Sequence, residues 1–178
     1  GRIDEYAKRY PDLIRVIRQA ENRWSRGHRI LPEFMLPEAR GRYLAICEGD
    51  DYWTDPKKLQ QQVSYLEQHP DCVICYGNAE GRAQGAESFE AVPGVRWDLN
   101  AGELQLGPSL LTLTVCFRNE LPEWPAGLSR GRYGDTLLWS LLGDYGRGHY
   151  LADTRASVYR IHPGGLHSMK SARERREM

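Results

Sequence analysis

The sequence predicts an α/β fold in which a mainly parallel sheet is flanked by helices. Three observations carry that prediction. Short apolar runs of strand length alternate with segments whose apolar residues recur at helical spacing. One run, Tyr43–Cys47, is apolar throughout, as an interior parallel strand covered on both faces would be. No internal repeat interrupts the alternation. The 178 residues are 40% hydrophobic, enough for one good core, so a single domain spanning residues 1–178 is expected.

Taken in order, Ile3, Tyr6, Ala7 and Tyr10 lie on one stripe of an amphipathic helix that Pro11 ends. Leu13–Ile17 reads as a short strand, and the polar residues 22–27 as a loop. Ile30–Leu36 is apolar but broken by Pro32 and bounded by Pro37, which predicts a short or interrupted helix. Tyr43–Cys47 is the clearest strand, and it opens into Glu48-Gly49-Asp50-Asp51. Thr54 or Asp55 then caps a helix with Pro56 in its first turn. Leu59, Val63 and Leu66 form its buried stripe and Pro70 stops it. Val73–Tyr76 is the next strand. Residues 77–107 are Gly-rich, polar and weakly periodic, as expected of an irregular functional excursion. Leu110–Arg118 returns as a strand. Thr136–Asp144 is helical, with Leu137, Leu138, Leu141 and Leu142 on one side. His149–Leu151 and Ser157–Tyr159 close the pattern as short strands.

Charge and composition narrow the function. Twenty-four basic residues balance 24 acidic ones, which argues against a nucleic-acid partner held by bulk electrostatics. The basic run Lys170–Arg176 reads as the solvated start of a helix. No apolar stretch approaches the roughly 20 residues of a membrane helix and no signal peptide is visible, so no membrane segment is expected in this piece. Cys72 and Cys75 have the C-x-x-C spacing, but on a regular strand thiols three apart face opposite ways and cannot share a metal. They read as buried apolar residues, consistent with a reducing, cytoplasmic setting.

Three acids within four positions, directly after a buried strand, are the strongest chemical signal. Ligands of open α/β sheets bind beyond the carboxyl ends of the strands. Carboxylates there suit Mg²⁺ or Mn²⁺ bridging to phosphate oxygens, and Gly49 leaves room for a ligand to approach the backbone. Read locally, the same acids also fit a solvated turn before the helix at Pro56.

The segment from Ala39 to Leu59, which contains Ala39-Arg40-Gly41-Arg42-Tyr43-Leu44-Ala45, Glu48-Gly49-Asp50-Asp51 and Asp55-Pro56-Lys57-Lys58-Leu59, resembles the centre of family 2 glycosyltransferases. There an acidic D-x-D-type motif stands between an A-x-G-x-Y-I-A strand and a D-P-x-K-L helix start. The similarity continues through Gln60-Gln61-Gln62-Val63, Val115–Asn119, Tyr133-Gly134-Asp135 and Ser157–Gly165, in the family's order. The resemblance implies a GT-A (Rossmann-like) fold and inverting transfer of a sugar, of hexosyltransferase type, from a nucleotide-diphosphate donor. The acceptor would be a carbohydrate or lipid-linked hydroxyl.

It also implies roles for individual residues. Asp50 matches the last acid of the motif and is the first expected ligand of a Mn²⁺ or Mg²⁺ ion that stabilises the leaving diphosphate. Glu48 replaces the usual first aspartate and is a candidate for the metal or the nucleotide ribose. Asp51 is a candidate for positioning the donor sugar or for orienting the other acids. Asp135 matches the acidic base that takes the acceptor proton; read locally it is a helix N-cap, and both roles can coexist. His162 is expected at the metal or the diphosphate, and Arg160 at a phosphate; read locally they are a loop histidine and a surface arginine. Trp53 and Trp124 are candidate sugar platforms, with core packing as the other reading.

Relatives begin with two nucleotide-binding strands that have no counterpart before Gly1. The chain is therefore expected to act as a fragment with part of its donor site missing, weakly active or inactive alone, with an open sheet edge that favours self-association. The main alternative is a non-catalytic carbohydrate- or partner-binding module. A phosphate-cleaving hydrolase or nucleotidyltransferase ranks last, because the sequence has no Gly-rich phosphate loop or nucleophile motif.

Overall fold

The computed structural model describes residues 1–120, 134–152 and 157–163, and the chain divides into two compact units, Gly1–Ala39 and Arg40–Met178. The first unit contains helix α1, Arg2–Arg9, whose backbone ladder closes at Tyr10 before Pro11, as the stripe predicts. Leu13–Ile17 is not a strand: no partner strand lies within this unit, and Leu13 is 84% exposed. The proline-interrupted segment forms a π-helical turn, Leu31–Met35, followed by a 3-10 turn, Leu36–Glu38. Each places its proline in its first turn, where the missing N–H is tolerated.

The described residues of the second unit carry two four-stranded sheets. The first contains β1 (Tyr43–Ala45), β6 (Cys116–Arg118), β3 (Cys72–Tyr76) and β7 (Arg147–Tyr150), in that spatial order. The second orders β2 (Tyr52–Trp53), β8 (Ser157–Ile161), β4 (Ala79–Ala83) and β5 (Glu90–Ala91). Among the described residues parallel pairing is confined to β3 with β7 and β4 with β8, and the other four strand pairs are antiparallel. The expected α/β class stands, but the sheets are mixed rather than mainly parallel. Among the described residues β1 is an edge strand antiparallel to β6, and its residues are half-buried or exposed rather than covered on both faces.

The core lies around β3, all five of whose residues are buried, together with Phe117, Leu138, Trp139 and Leu142. Trp139 and Leu142 belong to α4, Gly134–Leu142, and Trp139 meets Phe117 edge-on at 5.9 Å. Helix α2 runs from Lys58 to Gln68. Asp55 accepts the Lys57 N–H in the turn before it. Its buried stripe is Lys58, Gln62 and Leu66, while Leu59 is 38% exposed. Of the predicted stripe Leu66 is buried and Val63 packs half-buried against the core, whereas Leu59 gives way to the polar Lys58 and Gln62 on the buried side. Arg118 donates to the carbonyls of Cys72, Leu66 and His69, which ties β6 to the end of α2.

Residues 77–107 are irregular only in part. They hold β4, β5 and helix α3, Ala101–Gln105, the last capped reciprocally by Asn100 and Glu103. The opposed-thiol reading of Cys72 and Cys75 also fails. The pairing of β3 with β7 slips between Cys72 and Ile74, a bulge that turns both thiols into one cluster with Leu66 and Cys116. Cys72 Sγ donates to the Ile74 carbonyl at 3.4 Å, and the interaction between the two neighbouring thiols lowers the pKa of Cys72 and, with burial, raises that of Cys75. All four cysteines are free. Among the described residues no helix is long and apolar enough to cross a membrane.

Candidate active site

The acidic loop is held by its own turn and by β8. The Asp51 N–H donates to the Glu48 carbonyl at 3.0 Å. Tyr52 and Trp53 then pair antiparallel with Val158 and Ser157. That pairing carries the loop along the end of β8, where the Arg160 N–H donates to Asp51 Oδ1 at 2.9 Å and the Arg160 Nε donates to the Asp50 carbonyl. One residue beyond β8, His162 Nε2 lies 3.1 Å from Asp50 Oδ2. A Cβ at Gly49 would meet nothing within 4 Å, so this glycine leaves open space rather than answering a packing demand.

The loop divides two cavities. Gly49 and Asp50 line one of ≈ 750 Å³ together with Arg160, His162, Tyr52 and Arg82. Glu48 and Asp51 line another of ≈ 780 Å³ together with Asp135, Thr112 and Tyr159. Ile161 borders both. Asp135 lies in the first turn of α4, one residue inside its start, and its Oδ1 accepts the Thr136 N–H at 2.8 Å. Its other oxygen accepts the Thr112 hydroxyl at 2.9 Å.

Like charge and desolvation dominate the electrostatics of the second cavity. Loss of hydration pushes Glu48 up to about 7, with Asp51, Asp135 and Asp50 adding repulsion. Asp51 is raised by the same desolvation, partly offset by the Arg160 N–H. Burial raises the Tyr159 phenol, with the loop acids contributing.

Asp50 and His162 are therefore two metal-capable donors in contact. Among the described residues no group of three His, Cys, Asp or Glu side chains is arranged to enclose a cation. Trp53 lines neither cavity: its indole N–H donates to the Leu113 carbonyl at 2.7 Å, and the Lys58 ammonium sits 4.5 Å from its ring centroid. That placement fits packing rather than a sugar platform. Trp124 and the basic run 170–176 lie outside the described residues. The sequence reading missed Arg82, in a polar stretch with no distinguishing pattern, and Thr112, whose value depends on a partner 23 residues away. Tyr159 stood within the motif Ser157–Gly165 and could have been singled out there.

Residues 2–91 match the family model described as Glycosyl transferase family 2. The chain belongs to that family. The matched residues include the acidic loop, whereas Asp135 and His162 lie beyond them. This family 2 chain is 38% identical over 120 residues to Uncharacterized protein Rv1520 of Mycobacterium tuberculosis and to Uncharacterized protein Mb1547 of Mycobacterium bovis. The alignments cover 66% of the chain and 34% of each relative, so the chain matches about a third of their length. Its fold is similar to the crystal structure of S. aureus TarS 1–349, with a TM-score of 0.60 and 15% identity over 90% of this chain and 48% of that one. TarS 1–349 in complex with UDP-GlcNAc gives a TM-score of 0.60 and 16% identity over 96% and 49%. At that identity the likeness is one of fold, and it bears out the GT-A-like architecture.

Proposed function

We propose that this family 2 chain carries the catalytic core of an inverting, cation-dependent transfer of a hexose-type sugar from a nucleotide diphosphate to an acceptor hydroxyl. The observation that supports it most is the arrangement around the loop: the Asp50–His162 pair faces one cavity, and Asp135 lines the other beside Glu48 and Asp51. Two protein donors suit Mg²⁺ or Mn²⁺, which keep several waters and complete their shells with phosphate oxygens rather than with an all-protein cage. Bound between Asp50 and His162, such a cation would supply Lewis-acid stabilisation of charge on the departing diphosphate. Arg160, fixed through its backbone N–H and its Nε, presents the rest of its guanidinium to the same cavity. A guanidinium suits phosphate oxygens.

On the opposite side Asp135 accepts the proton of the incoming hydroxyl as the new glycosidic bond forms and the bond to the diphosphate breaks. Thr112 donates to one carboxylate oxygen and the Thr136 N–H to the other, which fixes the plane in which Asp135 can accept. Asp51, tethered to the Arg160 N–H, is placed to orient the donor sugar at the loop. UDP-GlcNAc, held by TarS in its complex, is the first donor to try.

Calorimetry with UDP, UDP-GlcNAc and Mn²⁺, followed by UDP release in the presence of candidate acceptors, tests the reading. Cation-dependent release that disappears in Asp50→Ala supports it. Sugar binding without release would favour a non-catalytic binding module, and phosphate released in place of UDP would favour a hydrolase.

A further inference from the structure

Lys58 opens α2 and is 3% exposed. Among the described residues its ammonium donates to Gln62 Oε1 at 2.9 Å and lies 4.5 Å from the Trp53 ring centroid, with no carboxylate paired to it. A buried ammonium without a counter-ion is unfavourable, and burial pushes Lys58 down to about 8. A methionine would fill much the same space without that penalty. A fold that keeps such a charge in its core commonly does so for function rather than stability.

Both partners of Lys58 lead to one place. Gln62 is fully buried and donates to the Thr114 carbonyl at 2.8 Å and the Cys75 carbonyl at 3.3 Å. Trp53 donates to the Leu113 carbonyl at 2.7 Å. Two successive carbonyls of the 3-10 turn Thr112–Thr114 are thus held by Trp53 and Gln62, with the Ser157 hydroxyl adding a 3.3 Å bond to Leu113, and Lys58 touches both Trp53 and Gln62. The first residue of that turn is Thr112, whose hydroxyl donates to Asp135. A charge-assisted hydrogen bond and a cation–π contact are both stronger than their neutral counterparts, so the protonated amine holds the amide and the indole together better than an apolar side chain would.

We infer that Lys58 is a positioning residue: with Trp53 and Gln62 it fixes the turn Thr112–Thr114 and, through Thr112, the orientation of the Asp135 carboxylate in the acid-lined cavity. The inference rests on the proposed role of Asp135 for its catalytic consequence, but its structural content stands apart from activity.

The test compares the full chain with its Lys58→Met and Thr112→Val variants. Carbon-detected NMR of the Asp135 carboxyl and the Thr112 methyl is recorded alongside thermal unfolding and, with donor and acceptor, steady-state kinetics. Lys58→Met is expected to keep or raise the unfolding midpoint, to shift the Asp135 carboxyl in the direction Thr112→Val shifts it, and to move the Thr112 methyl from its position in the unmodified chain. It is expected to lower kcat by roughly 10- to 100-fold, as a displaced catalytic group does, with the donor KM unchanged. A folded Lys58→Met protein whose Asp135 and Thr112 signals match those of the unmodified chain overturns the inference. If Lys58→Met does not fold, Trp53→Phe, which retains the aromatic face and loses the N–H to Leu113, is read in the same way. Transfer that survives Asp135→Asn would remove the catalytic reading of Asp135 and leave the NMR comparison intact.

Discussion

His162 and Asp50, 112 residues apart in sequence, meet at 3.1 Å between imidazole Nε2 and carboxylate Oδ2. The contact exists because β2 and β8 pair directly behind the acidic loop, so that the loop and the end of β8 share one wall of a cavity. If the two side chains share a divalent cation, each removes part of its coordination when truncated. Asp50→Ala is expected to abolish Mn²⁺ binding in the presence of UDP, and His162→Ala to weaken it by roughly 10-fold or more. Calorimetric or paramagnetic titration measures this directly, and unchanged Mn²⁺ affinity in Asp50→Ala would remove the cation from this position.

Asp135 makes a different prediction. As the group that accepts the acceptor proton, its replacement by Asn should lower kcat by roughly 10²- to 10⁴-fold while leaving donor binding intact. Thr112→Val leaves the carboxylate in place but frees one of its oxygens, so a smaller loss of kcat is expected, with little change in the donor KM. A donor KM that rises as kcat falls would point to a general disturbance of α4 rather than to proton transfer.

Much of the site's framework was legible before any coordinates, for reasons that differ by residue. Glu48, Asp50 and Asp51 stood out because acids follow an apolar run directly, a contrast readable within ten residues. The meeting of Asp50 with His162 was not local information at all; only the family resemblance suggested it. β4 escaped notice because it reads Ala-Glu-Gly-Arg-Ala: its burial alternates as a strand should, but through Ala79 and Gly81, which leave no hydrophobic signal. In α2 apolar spacing picks out Leu66 and Val63 correctly but not Lys58 and Gln62, which face inward where that spacing expects leucine or valine. The Cys72–Cys75 geometry was missed because a period-two argument assumes a regular strand, and the bulge at Val73 breaks that period.

Glu48 ties the acidic loop to pH. Desolvation, followed by repulsion from Asp51, Asp135 and Asp50, holds its proton up to about 7 in the folded chain, against an ordinary 4.5. Between those values the folded state binds more protons than the unfolded state, so stability falls as pH rises. The contribution is fully present below about 4.5 and lost as pH climbs through about 7. Relative to the unmodified chain, Glu48→Gln should therefore gain in thermal midpoint between pH 5 and pH 8, measured without divalent cations. A difference that stays constant over that range would mean Glu48 is hydrated like an ordinary surface carboxylate.

Lys58 has the opposite sign. Burial lowers its pKa to about 8 in the folded chain from an ordinary 10.5, a gap equivalent to about 3 kcal/mol against folding when the amine is charged in both states. Below about pH 8 both states carry the proton and the penalty is complete. Between about 8 and 10.5 the folded state releases a proton that the unfolded state keeps, so the penalty lifts as pH rises. Lys58→Met removes the titration, although it leaves Gln62 Oε1 without its donor, which costs about 1–3 kcal/mol at every pH. The stability difference between Lys58→Met and the unmodified chain should therefore favour the variant most at pH 7 and shrink towards pH 10. Urea unfolding at four or five pH values measures it. A difference independent of pH would mean that Lys58 is not desolvated, and that its charge is as well solvated in the folded chain as in the unfolded one.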